Sequence, residues 1–178
     1  LTSLSIGHRY RSAKDVAAAQ LQAIADAKAQ QLWDWHQERL DNARLLQHDQ
    51  DLRSHWLTWQ AERHPTHLLH LRERLARFAN GVHFTRAHLV GPQGVAVTQP
   101  EEAAPAPDPT LDAGVAQALA EGRPLRIGPW RDGLGALRLA FIAPLVTQGP
   151  HPAAVVLHVD PVGSVHHSLD SWPLPETS

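Results

Sequence analysis

From Ala13 to Leu46 the chain contains neither glycine nor proline. Alanine, leucine, glutamine, glutamate and arginine dominate the run, and all of them lose little on entering a helix. One long helix is therefore expected, opened by Ser12 as N-cap with Asp15 three residues on. An apolar stripe through Ala17, Leu21, Ile24, Leu32, Trp35, Ala43 and Leu46 recurs at steps near three and four, with Lys28 and Arg39 interrupting it. Such a helix is about 50 Å long, more than one small core can cover. Its N-terminal part is expected to project or to pair with another helix. The alanine-rich stretch Ala17 to Ala29 allows close approach, so a homodimer through this helix is one expected partnership.

Two shorter helices follow. One starts at Asp49 or Asp51, ends at Glu62 and carries Leu52, Trp56 and Trp59. Pro65 separates it from another, Thr66 to Ala79, whose buried row is Leu68, Leu71, Leu75 and Phe78, with Asn80-Gly81 as the stop. Trp33, Trp35, Trp56 and Trp59 sit at spacings that suit packing between helices.

The second half changes character. Val82 to Val90 alternates and is β-rich, Gly91-Pro92-Gln93-Gly94 reads as a turn, and Val95 to Thr98 returns. Pro100 to Pro109 is a loop in which Glu101-Glu102 reads as a solvated tip. Leu111 to Glu121 is a helix closed by Gly122. Leu125 to Trp130, Leu134 to Leu145 and Ala154 to Asp160 are three further strands. Consecutive antiparallel strands with helices grouped beside them argue for an α+β fold around one central sheet.

Of the 178 residues, 43% are hydrophobic and 19% charged, as in an ordinary folded domain, and the net charge is -2. That balance gives no electrostatic footprint for nucleic acid. With no cysteine there is neither a disulfide framework nor a thiolate metal site. No apolar run approaches a membrane span, and no signal peptide is visible. The chain holds no methionine, and it is expected to be a portion of a longer protein. Ser171-Trp172-Pro173-Leu174-Pro175 forces an extended exit, because proline crowds the helical conformation of the residue before it. That exit reads as a boundary between modules.

Strand alternation isolates the candidate site. Arg86 and His88 share a face of the first strand with Phe84, opposite Thr85, Ala87 and Leu89. Arg138 opposes Leu137, Leu139 and Phe141. His158 and Asp160 oppose Val155, Leu157 and Val159. If the apolar faces pack on the helices, Arg86, His88, Arg138, His158 and Asp160 converge on the other side, with Arg126 and Trp130 in step beside them. Arginine suits carboxylate or phosphate, and aspartate suits an ammonium group. A small anionic or zwitterionic metabolite would fit. The competing reading is that this face simply meets water.

Other chemistry is sparse. His64, His67 and His70, and separately His166-His167, read as surface histidines rather than a metal site. No Gly-x-Ser-x-Gly elbow, P-loop or His-Glu-x-x-His occurs, and Gly128 to Gly135 lacks a following helix. Neither a catalytic residue nor a cofactor is expected.

Three stretches carry a family resemblance: Leu89 to Val95, Phe141 to Leu145 followed by Ala154 to Pro161, and the exit Ser171 to Pro175. With the long leading helix, they make the chain resemble the extracytoplasmic sensor domains called Cache or PDC domains, which are PAS-like. The resemblance implies one PAS-like domain over 1–178, helical over 1–80, with the sheet core in 81–170 and an exit linker in 171–178. It implies a periplasmic portion of an inner-membrane receptor. Such a portion binds a small molecule and signals to a histidine kinase, chemoreceptor or cyclic-dinucleotide output, and is not itself an enzyme. A second PAS-like module would follow the exit. The tyrosine-rich signature of the amino-acid-binding branch is not carried over, since Tyr10 is the single tyrosine. A structural or protein-interaction module without a small ligand is the alternative.

Overall fold

The computed structural model describes residues 3–80 and 84–163. Three helices, α1 (Ser3–Gln47), α2 (Gln50–Glu62) and α3 (Pro65–Ala79), lead into the hairpin β1 (Arg86–Gly91) and β2 (Gly94–Thr98). Helix α4 (Pro109–Glu121) and the strands β3 (Leu125–Arg131), β4 (Leu137–Val146) and β5 (Ala153–Val159) complete the chain. The strands form one antiparallel sheet in the order β2-β1-β5-β4-β3. The fold is α+β, a long N-terminal helix and further helices packed on a five-stranded antiparallel sheet.

Local chemistry explains the element ends. Asp49 caps α2, its Oδ1 accepting from the Leu52 amide at 3.0 Å. Its Oδ2 takes both Nε and Nη2 of Arg74, at 3.0 and 2.7 Å, tying α3 to the turn between α1 and α2. Asp108 caps α4 by accepting from the amides of Thr110 and Leu111, and Pro109 fills the first helical position, where a missing N–H costs nothing. Gly122 closes α4 at φ 65°, the left-handed conformation glycine adopts without a Cβ penalty.

The core has two layers, one on each face of the sheet. On the first, Leu89, Phe141, Val155 and Leu157 meet Ala43 and Leu46 of α1, Leu52 and Trp56 of α2, and Leu71 and Leu75 of α3. Phe141 is fully buried and edge-packed by Trp35, His36 and Phe84. On the second, Ala140, Ile142, Ala154 and Val156 meet Leu111, Val115 and Ala118 of α4. The helix lies so close that a Cβ on Gly114 would stand 2.5 Å from Ile127 Cγ1.

Three expectations change. Helix α1 starts at Ser3, not after Ser12. Only its last third joins the core, so Leu21, Leu32 and Trp33 are 67%, 47% and 59% exposed, whereas Arg39 is buried with its guanidinium 5.0 Å over the Trp35 ring. The stripe thus outruns the surface available to cover it. The second sheet face is not an open polar face either, because α4 seals the half that bears Val156 and Ile142. The exit Ser171 to Pro175, His166-His167, Gly81 and Val82 lie outside the described residues. Among those residues no helix is long and apolar enough to cross a membrane.

Candidate functional site

The second sheet face continues past α4 as a polar recess. Arg86 pairs directly with His158 across β1 and β5, and His158 in turn stands opposite Ala140 of β4. Directly opposed residues share a face, and Arg138 and Asp160 are the next on that face, beyond Ala140 and His158. The outcome is a recess of about 240 Å³ lined by Thr85, Arg86, Leu137, Arg138, His158 and Asp160. Four of the seven residues expected from alternation therefore meet.

Both arginines are oriented by carboxylates from loops. Arg86 Nε donates to Glu102 Oε2 at 2.8 Å, and its Nη2 to the Ala103 carbonyl at 3.0 Å. Glu102 is held in turn, its carbonyl accepting from Thr98 Oγ1 at 3.0 Å and its amide donating to the Gln99 carbonyl at 3.2 Å. The Glu101-Glu102 segment is thus a strap over Arg86 rather than a solvated tip. Arg138 Nε donates to Asp132 Oδ2 at 2.8 Å. Asp132 Oδ1 accepts from the Leu134 and Ala136 amides, both at 2.9 Å, which shapes the turn between β3 and β4. The hydrogen bond from Arg138 is the main reason the Asp132 carboxyl sits below its ordinary range; burial opposes it and the two amides assist.

His88 lies behind the recess instead of lining it. It is fully buried, with its ring stacked on His158 at 5.1 Å between centroids. Burial pushes His88 down to about 3, with the charges of His158 and Arg86 acting the same way. Burial likewise lowers His158 to about 4, aided by Arg86 and Arg138 and opposed by Asp108. Both rings are neutral near pH 7. Among the described residues, neither nitrogen of His88 nor Nε2 of His158 has a hydrogen-bond partner. Asp160 also has a structural duty, since its Oδ1 accepts from the Val162 amide at 3.0 Å.

Two expected residues fall elsewhere. Between Ile127 and Trp130 the pairing slips, so β3 advances three residues while β4 advances two, from Ala140 to Arg138. Arg126, opposite Phe141 ahead of the slip, faces α1, where its Nη1 lies 3.2 Å from His36 Nδ1. Trp130 stays on the α4 side, but its indole N–H donates to Asp108 Oδ2 at 2.8 Å and its ring packs in the second layer. It braces α4 against β3 and does not line the recess.

The histidines of α3 acquire a neighbour that spacing alone did not reveal. His55 of α2 places Nδ1 2.9 Å from Nδ1 of His67 and stacks on His70 at 4.3 Å. Burial first, then His70, holds His55 below its ordinary value. The described residues include no group of three or more histidines and carboxylates placed to hold a metal ion.

Chemically, the recess offers two guanidinium groups, the neutral imidazole of His158 and one carboxylate. That set suits an anion, or a zwitterion whose ammonium group meets Asp160. The sequence matches no protein-family model and no curated protein.

Proposed function

We propose that this chain is a ligand-sensing module of the Cache or PDC kind, the extracytoplasmic part of a membrane-anchored signalling receptor, and not itself an enzyme. Its ligand is a small anionic or zwitterionic metabolite held by Arg86, Arg138, His158 and Asp160. The observation that carries this reading is the convergence of those side chains, from three strands, on one recess. Strand β4 supports a route for the signal, because Arg138 sits on one face and Phe141 on the other touches Trp35 and His36 of α1. Ligand contacts would shift the population between two seatings of α1 on the sheet.

The test is a thermal-shift screen of small carboxylates, phosphates and amino acids. A binder at a hundred times its Kd stabilises the fold by about 2.7 kcal/mol. Arg86→Ala and Arg138→Ala are expected to remove that stabilisation, and Arg126→Ala to retain it. A shift unchanged in Arg138→Ala overturns the site.

The internal ion pairs Arg86–Glu102 and Arg138–Asp132 favour a second reading, a module with the same fold and no small ligand. In that case no member of the screen stabilises the wild-type chain.

A further inference from the structure

A second, larger cleft opens on the other face of the sheet, at the far end of β1. Arg86 and Gly91 bound that strand, so the two sites are roughly 17 Å apart along it. The cleft holds about 490 Å³ and lies between α2, the turn of the β1–β2 hairpin and the loop at Pro150-His151. Its floor is rigid. Trp56 is fully buried, and its indole N–H donates to the His151 carbonyl at 3.0 Å. Its ring comes so near the backbone that a Cβ on Gly91 would meet it at 3.1 Å.

The residue that marks this cleft is Arg63. It ends α2 in the left-handed conformation, at φ 56° and ψ 24°, with its amide bonded to the Trp59 carbonyl. Helix α4 ends in the same conformation and with the equivalent bond, but uses Gly122. A residue with a Cβ costs about 1 kcal/mol more than glycine at such a position. The side chain is placed accordingly. The guanidinium lies 4.5 Å over the Trp59 ring, and Nη2 donates to Gln60 Oε1 at 2.9 Å. Arg86 and Arg138 each hold a carboxylate, but among the described residues no carboxylate pairs with Arg63. An oriented fork of donors without an anion therefore stands on the wall of a cleft whose other walls include Pro92, Val95 and Pro150.

We propose that this cleft is a second binding site, for a planar aromatic carboxylate of one or two rings. The carboxylate meets the open edge of the Arg63 fork, and the ring lies against the proline and valine wall beside Trp59. Guanidinium and carboxylate match as paired planar donors and acceptors, and the volume falls within the range of small-molecule sites. This site is independent of the recess around Arg138.

The experiment titrates the whole chain with 1-naphthoate, using the uncharged 1-naphthamide as control, and follows the indole N–H resonances by NMR. The expected result is a saturable shift centred on Trp59 with naphthoate and none with naphthamide. Arg63→Gly removes the fork at a position where glycine is the favoured residue, so the variant folds at least as stably as the wild type. It is expected to bind naphthoate about tenfold more weakly or worse, the loss of one charged hydrogen-bonded pair. Arg138→Ala is expected to bind it as the wild type does. Equal binding by Arg63→Gly, equal binding of naphthamide, or no shift at Trp59 would each overturn the proposal.

Discussion

His88 of β1 and His158 of β5 lie ring on ring, 5.1 Å between centroids and 29° from parallel, on the sheet face between α4 and the recess. Their folded pKa values, about 3 and about 4, lie below the ordinary 6.5. The unfolded chain therefore binds more protons than the folded one as the pH falls below 6.5. The stability this provides is complete above that value and is lost as the pH drops toward 4 and then 3. Each histidine contributes a slope of about 1.4 kcal/mol per pH unit within its window. His88→Leu, which also removes two buried ring nitrogens that lack hydrogen-bond partners among the described residues, is expected to be at least as stable as the wild type at pH 7. Its urea-unfolding free energy should fall less steeply between pH 6 and 4.5. An unchanged slope would show that His88 is not the group being titrated.

Asp108 joins two jobs in one carboxylate. Oδ1 caps α4 and Oδ2 accepts the Trp130 indole N–H at 2.8 Å. Replacement by alanine loses a cap worth about 1 kcal/mol and leaves a half-buried donor unpaired at a further cost of ~1 kcal/mol or more. Asp108→Ala is expected to unfold at lower urea concentration by that sum, with a red shift in Trp130 emission. Asp108→Asn can still cap through its one oxygen but turns an NH2 toward the indole N–H, so it should recover at most the capping share, half of the loss or less. Equal stability of all three proteins would refute the bracing role.

Gly114 is where α4 comes nearest the sheet. An alanine Cβ there would meet Ile127 at 2.5 and 2.7 Å and Ile142 Cδ1 at 3.1 Å. Alanine raises helix propensity by about 1 kcal/mol, whereas overpacking costs about 1 to 3 kcal/mol. The clash is expected to win, so Gly114→Ala should lower stability. Gly114→Ala combined with Ile127→Val should recover part of it, giving a favourable coupling in a double-mutant cycle. A stabilising Gly114→Ala would mean that α4 rides farther from the sheet.

Element order was legible because the chain is strongly punctuated: Pro65, Gly91-Pro92 and Gly122 each stand at an observed boundary. The faces of β1 and β5, and of β4 as far as Pro144, were legible because alternation holds along them. Just before β1 it fails, since Phe84 packs with Leu89 and Phe141 while Thr85 lines the recess beside Arg86, and β4 slips between Pro144 and Val146. On β3 it fails, since the slip after Ile127 puts Arg126 and Trp130 on opposite faces. Periodicity also could not tell that Val156 and Ile142, on the same face as His158 and Arg138, attract a helix of their own. Glu102 and Asp132 reach the recess from loops, where no period exists to place them. Arg39 and Trp33 exchanged their expected environments because burial on α1 depends on where the sheet ends, a tertiary fact that no helical stripe encodes.

Glu102 offers a test that separates the two functional readings. Its carboxylate occupies the Nε edge of Arg86 at 2.8 Å and competes there with a ligand anion. Both side chains of this pair are about one third exposed, so their attraction adds at most about 1 kcal/mol to stability. Glu102→Gln keeps the shape of the strap and removes the competing charge. If the recess takes an anion, the variant should bind it more tightly than the wild type, by about tenfold for one released charged hydrogen bond. Calorimetric titration with malonate and with phosphate measures this directly. If the pair serves only to fasten the strap, Glu102→Gln should lose a little stability and bind neither anion, and the ligand-free reading would then stand.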